Sequence, residues 1–309
     1  MNAPRPRRGL AMPMVLLLVL VAGVLLTVTL QRESAHTRSV ARRLQAYQDV
    51  HAQRGLQEII EMWLSTYASG GVEAALEPDG RAFDLELADA STVRVFLQPA
   101  QGSARLELGG LGRTSRNRAE GVLEALAETL GSPDRFADLD ARGRPYTRPV
   151  GPVAISVAHA PQAVLLAASQ YAVRDARRAE TVVDALVRAR ESGELEEEAV
   201  QQAAADISAE QAERVLLQRV LTTRPELWWC RVELRGVEAG RSRAIASVYG
   251  GYLQASVEGV PPDDTEGPAS QGRGSFLTWD RLDPEAPSPA GPMEGLQSRG
   301  GTRTRARVQ

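Results

Sequence analysis

The side chains able to do chemistry are few, and they are scattered. His36, His51 and His159 are the three imidazoles. No H-E-x-x-H places two of them for zinc, and neither a G-x-S-x-G elbow nor a Walker A loop occurs. Gly109-Gly110-Leu111-Gly112 precedes a predicted helix, where a phosphate could sit on backbone amides. It lacks the lysine of such loops, and a strand-to-helix turn accounts for it better. Two acidic clusters, Asp134 to Asp140 and Glu194 to Glu198, hold carboxylates of the kind that bind calcium. Neither has the regular spacing of an oxygen cage, so a solvated surface is the plainer reading. Cys230 is the single cysteine, which excludes an intramolecular disulfide and a cysteine-rich metal site. It lies in Leu227-Trp228-Trp229-Cys230-Arg231-Val232, a predicted strand, and reads as a small half-buried hydrophobe rather than a reactive thiol. No nucleophile, base and orienting group come together by pattern, so an enzyme is not expected.

What must be positioned is therefore a surface or a segment. The formal net charge is -3, with Arg supplying the cationic side chains and no Lys present. That balance offers no whole-chain attraction for nucleic acid. Aromatic residues make up 5% of the chain, so the core has to rest on Leu, Val and Ala.

The most informative segment is Leu10 to Leu30, 21 residues without a charge. At about 1.5 Å per residue it can cross roughly 30 Å of hydrocarbon. Arg5, Arg7 and Arg8 precede it, and Arg32, Arg38, Arg42 and Arg43 follow, so a count of cations does not set the orientation. Three readings compete. A cleavable secretory signal should have a shorter apolar core and a small-x-small site, and Glu33-Ser34-Ala35 is a poor one. A plain signal anchor is the second. The third is a leader cut before the apolar run, which then stays on the mature chain.

From Gln31 to Leu64 there is no Pro, and the single Gly is Gly55. Val40, Leu44, Tyr47, Val50, Leu56, Ile59, Ile60, Met62 and Trp63 recur largely at steps of three and four, predicting that the helix continues as an amphipathic stem. An independent surface helix is the alternative. Period-two alternation follows in Phe83 to Leu87, Val93 to Leu97 and Arg105 to Leu108, a predicted antiparallel meander. The period then becomes helical. Ala119 to Leu130 ends at Gly131-Ser132-Pro133. Gly143 to Pro152 reads as loop. Helices are predicted after Pro161, over Arg174 to Arg190, and from Ser208, a plausible N-cap, to about Leu221. Strand pattern returns in Leu227 to Arg235 and Ala244 to Tyr249, with Gly250-Gly251 as an interruption before Tyr252. From Gly259 to Gln309 the chain is rich in Pro, Gly, Ser and charge, a composition that predicts disorder. Phe276-Leu277-Thr278-Trp279 is the exception: it reads as an incidental apolar patch, with a short docking strand as the alternative.

Several of these segments carry a family resemblance. Arg7-Arg8-Gly9-Leu10-Ala11-Met12 resembles a type IV prepilin peptidase site, with the cut between Gly9 and Leu10. The fifth residue after that cut is Met14, where most pilins have Glu; the K-type minor pseudopilins of type II secretion typically lack that Glu. Ile155-Ser156-Val157-Ala158-His159-Ala160-Pro161, then Val164-Leu165-Leu166-Ala167-Ala168, resembles a segment recurring in that family. Ala158 and His159 stand where the family has Asn and Thr. Ala179 to Arg188 is similar to the helix that follows it. The resemblance covers about residues 5 to 256.

It implies an α+β fold: a long N-terminal transmembrane and stem helix, a small antiparallel pseudopilin sheet with a large inserted α-helical domain, and a disordered C-terminal tail. The boundaries expected are 1–9 basic leader, 10–30 transmembrane helix, 31–68 stem, 69–111 strands, 112–225 helical insert, 226–258 returning strands and 259–309 tail. The implied function is non-enzymatic, at the tip or start of the periplasmic pseudopilus of a type II secretion system. The implied partners are other minor pseudopilins, the major pseudopilin, prepilin peptidase and inner-membrane lipid, with no nucleic acid. The implied location is the bacterial inner membrane, single-pass, N-terminus cytoplasmic and body periplasmic. No cofactor is expected, although the resemblance admits calcium without assigning ligands. A signal-anchored periplasmic scaffold or binding protein and a type IV pilus minor pilin stay open as alternatives.

Overall fold

The structure is a computed structural model that describes residues 11–67, 71–87, 91–195, 200–203, 205, 211–236, 245–255, 274–285 and 288–291. It is α+β, with a long apolar N-terminal helix and an antiparallel sheet. Two compact units divide the chain, Met1–Ile59 and Ile60–Gln309.

The first unit is helical. Helix α1 runs without interruption over Ala11–Tyr67. The absence of Pro after its first turn and the straight-chain and small residues along it keep the hydrogen-bond ladder intact through Gly23 and Gly55.

In the second unit, the last turns of α1 bury Ile60 and Leu64 completely. A four-residue helix, α2 (Val72–Ala75), leads into β1 (Arg81–Glu86) and β2 (Thr92–Pro99). The chain then leaves the sheet. It passes through β3 (Ala104–Arg105), α3 (Arg113–Leu130), a 3-10 turn at Pro133–Ala137, β4 (Thr147–Arg148) and β5 (Ile155–Ser156). Helices α4 (Gln162–Val173), α5 (Ala176–Ser192) and α6 (Gln211–Val220) follow, then β6 (Leu221–Thr222). It returns as β7 (Leu227–Arg235) and β8 (Ile245–Gln254), with short strands β9 (Ser275–Phe276) and β10 (Asp280–Leu282) beyond. The main sheet has the order β1-β2-β7-β8-β10, with β9 also on β8, and every pairing in it is antiparallel. Strand β2 therefore lies beside β7, Val95 opposite Val232, across the whole helical excursion.

The excursion has its own core. Val122, Leu126 and Leu130 of α3 come at steps of four and meet Leu165 and Ala168 of α4, Val182 and Leu186 of α5, and Leu217 and Val220 of α6. Full burial of each Leu contributes about 1.5–3 kcal/mol. Gly131 stops α3 in the left-handed conformation at φ 81°, where a side chain would be strained. Asp175 caps α5 by accepting from the Arg178 N–H. Gly121 lets α4 approach, since a Cβ there would stand 2.2 Å from the Tyr171 ring.

Four expectations need correction. Residues 105 to 108 are not a third strand of the meander; Ala104–Arg105 instead pairs in parallel with Thr147–Arg148. Gln101 redirects the chain there, its side chain held among backbone groups of 154, 226 and 227. Gly143 to Pro152 is not all loop, because it supplies that partner strand. Gly250-Gly251 does not interrupt β8, which runs through both. The segment from Phe276 to Trp279 is no incidental patch in a disordered tail. Phe276 pairs with Leu253, and Asp280 to Leu282 pair with Gly250 to Val248. The glycines permit this: a Cβ at Gly250 would meet Leu282 at 2.5 Å. Apart from 274–285 and 288–291, the tail from 259 to 309 lies outside the described residues, as do the Ser208 cap and most of the β7–β8 turn.

Candidate membrane anchor

The apolar stretch of α1 carries Met14, Val15, Leu16, Leu17, Leu18, Val19 and Leu20 in succession, all of them exposed. In water such a surface would be strongly unfavourable, so it needs an apolar surrounding. Among the described residues, α1 is the one helix long and apolar enough to cross a membrane. The two threonines of its apolar run satisfy themselves. Thr27 Oγ1 donates to the Gly23 carbonyl at 2.8 Å, and Thr29 Oγ1 to the Leu26 carbonyl at 2.8 Å. Hydroxyls bonded back onto their own helix can enter hydrocarbon without the cost of an unmade hydrogen bond. Met14 is exposed like its neighbours. Gly9 and Leu10, the expected cleavage pair, lie outside the described residues.

The other chemically able residues are not brought together. His36 and His51 are exposed on α1, and the His51 ring meets Tyr47 at 4.2 Å. His159 is in the other unit, its Nε2 2.7 Å from Glu73 Oε1. Cys230 is fully buried in β7, and burial pushes its thiol pKa well up, which suppresses the thiolate. At the first of the glycines at 109 to 112, Arg105 Nη2 donates to the Gly109 carbonyl at 2.8 Å. The acids of 134 to 140 do not fit a calcium cage. Asp138 faces Arg135 at 3.2 Å and Asp140 faces Arg144 at 2.6 Å, so an arginine occupies those two, while Asp134 accepts from the Ser132 hydroxyl at 3.3 Å. Among the described residues no group of three His, Cys, Asp or Glu side chains could hold a metal ion. Glu196 to Glu198 lie outside them.

No protein-family model matches the chain, and no curated protein matches it. One likeness is to a solved structure. A chain of the GspK-GspI-GspJ complex from the enterotoxigenic Escherichia coli type 2 secretion system aligns at 12% identity and a TM-score of 0.36. The alignment covers 79% of this chain and 99% of that one. A likeness at that level does not specify a function.

Sequence reasoning missed two buried polar residues that organise the second unit. Gln101 is fully buried, donating to the Ala154 carbonyl at 3.0 Å and accepting from the Leu227 N–H at 3.2 Å. Arg148 is 2% exposed, donates to the Pro152 and Ala154 carbonyls, and has its pKa drawn down to about 9 by burial. Nothing in composition or period marks either. Arg148 sits in a run of Pro and Gly that reads as solvated loop.

Proposed function

We propose that the chain is a non-enzymatic minor pseudopilin of the K type, anchored in a bacterial inner membrane by α1 with its body in the periplasm. It would join other minor pseudopilins and the major pseudopilin at the tip or start of a type II secretion pseudopilus, after a prepilin peptidase cuts between Gly9 and Leu10. The observation that carries this reading is the order of elements. One uninterrupted helix holds both the apolar run and a soluble stem, and the sheet that follows is split, at β2 and β7, by a helical block with its own core. The Gly9-Leu10 junction and Met14 supply the sequence side of the same reading. Calcium, if bound, would need ligands other than the Asp134 to Asp140 acids.

The test is the mature N-terminus. Mass spectrometry of the chain expressed with a prepilin peptidase should find Leu10 first, methylated on its amine. An intact Met1, or a start near His36, would sink the reading in favour of a signal anchor or a cleaved secretory signal.

A further inference from the structure

Beyond the apolar run, α1 carries cations that have no intrahelical counterpart. Arg32, Arg38, Arg42 and Arg43 are all exposed. Between Leu30 and Asp49 the sole acid is Glu33. No acidic residue stands three or four positions from any of the four arginines, whereas Arg54 further along has Glu58 at 3.5 Å. Arg38 and Arg42 are themselves four apart, so they repel each other on the helix surface. At about 100° per residue the four arginines fall within an arc of roughly 140°, with Glu33 about 150° from its centre. Val40, Leu44 and Tyr47 occupy the other side.

Their position relative to the apolar run matters as much as their charge. At about 1.5 Å per residue, Arg32 lies roughly 3 Å past Leu30, Arg38 about 12 Å, and Arg42 and Arg43 about 18–20 Å. In a helix each Cα–Cβ bond leans toward the N-terminus. Here that is the direction of the apolar run, so the long side chains are thrown back toward it. Arg32 and Arg38 then reach a headgroup layer about 5–8 Å thick, and Arg42 and Arg43 come within a screening length of it.

We propose that Arg32, Arg38, Arg42 and Arg43 form a collar that binds anionic phospholipid headgroups at the membrane face where the apolar run emerges. This rests on the reading of α1 as a membrane anchor. A phosphodiester between Arg38 and Arg42 replaces their repulsion with two charge-assisted hydrogen bonds. The collar acts as a depth stop, fixing where the helix leaves the bilayer.

The test uses the full chain in detergent, with phosphatidylglycerol or phosphatidylcholine added and bound lipid counted by native mass spectrometry. The wild type should retain phosphatidylglycerol in clear preference. Each arginine close to the headgroups is worth about fivefold in binding, so R32Q/R38Q should lose roughly twenty-five-fold. R42Q/R43Q should lose less, and R54Q should lose nothing. Equal retention of both lipids, or an undiminished preference in the quadruple glutamine variant, overturns the collar. Alkaline carbonate extraction of membranes separates the two failures. A chain that resists carbonate but shows no lipid preference overturns the collar alone; a chain that washes out overturns the anchor and the collar with it.

Discussion

Gly251 of β8 lies directly beneath the carbonyl of Thr278: a Cβ at Gly251 would stand 1.9 Å from that oxygen. The approach lets the segment after Gly274 lie along the sheet. Leu277 N–H donates to the Tyr252 carbonyl at 2.7 Å, and Tyr252 N–H donates to Thr278 Oγ1 at 3.0 Å. Because the blocking atom is backbone, no rotamer change relieves it. Gly251→Ala should lift the segment and destabilise the fold by about 1–3 kcal/mol. Thermal unfolding of the full chain in detergent measures it, with faster amide exchange at Leu277 as the local signature. An unchanged melting temperature would mean that the segment is not seated there.

Gln101 ties three stretches of chain together from a fully buried position: the Ala154 carbonyl and the N–H groups of Glu226 and Leu227. These are the exit and re-entry points of the helical excursion. Gln101→Leu keeps the bulk but strands two donors and one acceptor. Each buried unmade group costs about 1–3 kcal/mol, so a loss of about 3 kcal/mol or more is expected in a urea titration. Gln101→Glu retains the acceptors and loses the donor to Ala154, and should fall between the two.

Legibility in the sequence followed the range of the interactions. The faces of α3 and α5 were readable because Val122, Leu126, Val182 and Leu186 repeat at helical steps, and period three to four is a local property. The main strands β2 and β7 were readable as strands by alternation and β-branched content, though not their partnership. The pairing of Phe276 with Leu253 was not legible, since a two-residue strand has no period and its flanks are loop-like. The parallel pairs Ala104–Thr147 and Ile155–Leu221 escaped for the same reason. The long apolar helix itself was legible in the sequence, because length and the absence of charge mark it. The self-bonded hydroxyls of Thr27 and Thr29 could be seen only in three dimensions.

Asp140 predicts an acid-sensitive turn. Burial works to raise its pKa, but the Arg144 guanidinium and the N–H groups of Arg144 and Arg142 outweigh burial and leave it below the ordinary 3.8. A carboxyl with a depressed folded pKa adds stability that is fully present above the unfolded value and is lost as pH falls through the folded one. Arg144 in turn donates to the His159 and Ala160 carbonyls at 3.3 and 3.1 Å, so the turn is coupled to the start of α4. Asp140→Asn should therefore unfold earlier than wild type at pH 7, and the gap should close as pH falls below the ordinary 3.8 and through the lower folded-state value. A gap that stays constant with pH would mean the charge of Asp140 plays no part.

Cys230 sits at 0% exposure, with Leu97 of β2 and Gly251 of β8 as its register neighbours. Its thiol is shielded from reagent, and its raised pKa leaves almost no thiolate to react. Alkylation should therefore report sheet opening rather than side-chain accessibility. The native chain should stay unlabelled by iodoacetamide over a period in which the chain in concentrated guanidinium labels fully, and the labelling rate should rise in Gly251→Ala as the sheet edge loosens. Cys230→Ser places a hydroxyl in the same space without a partner and should cost about 1–3 kcal/mol. Cys230→Ala removes the sulfur without adding a polar atom, and its cost should lie at the low end of the range for core truncations, near 1 kcal/mol. Stoichiometric labelling of the native protein within minutes would refute the buried assignment and return Cys230 to the list of reactive groups.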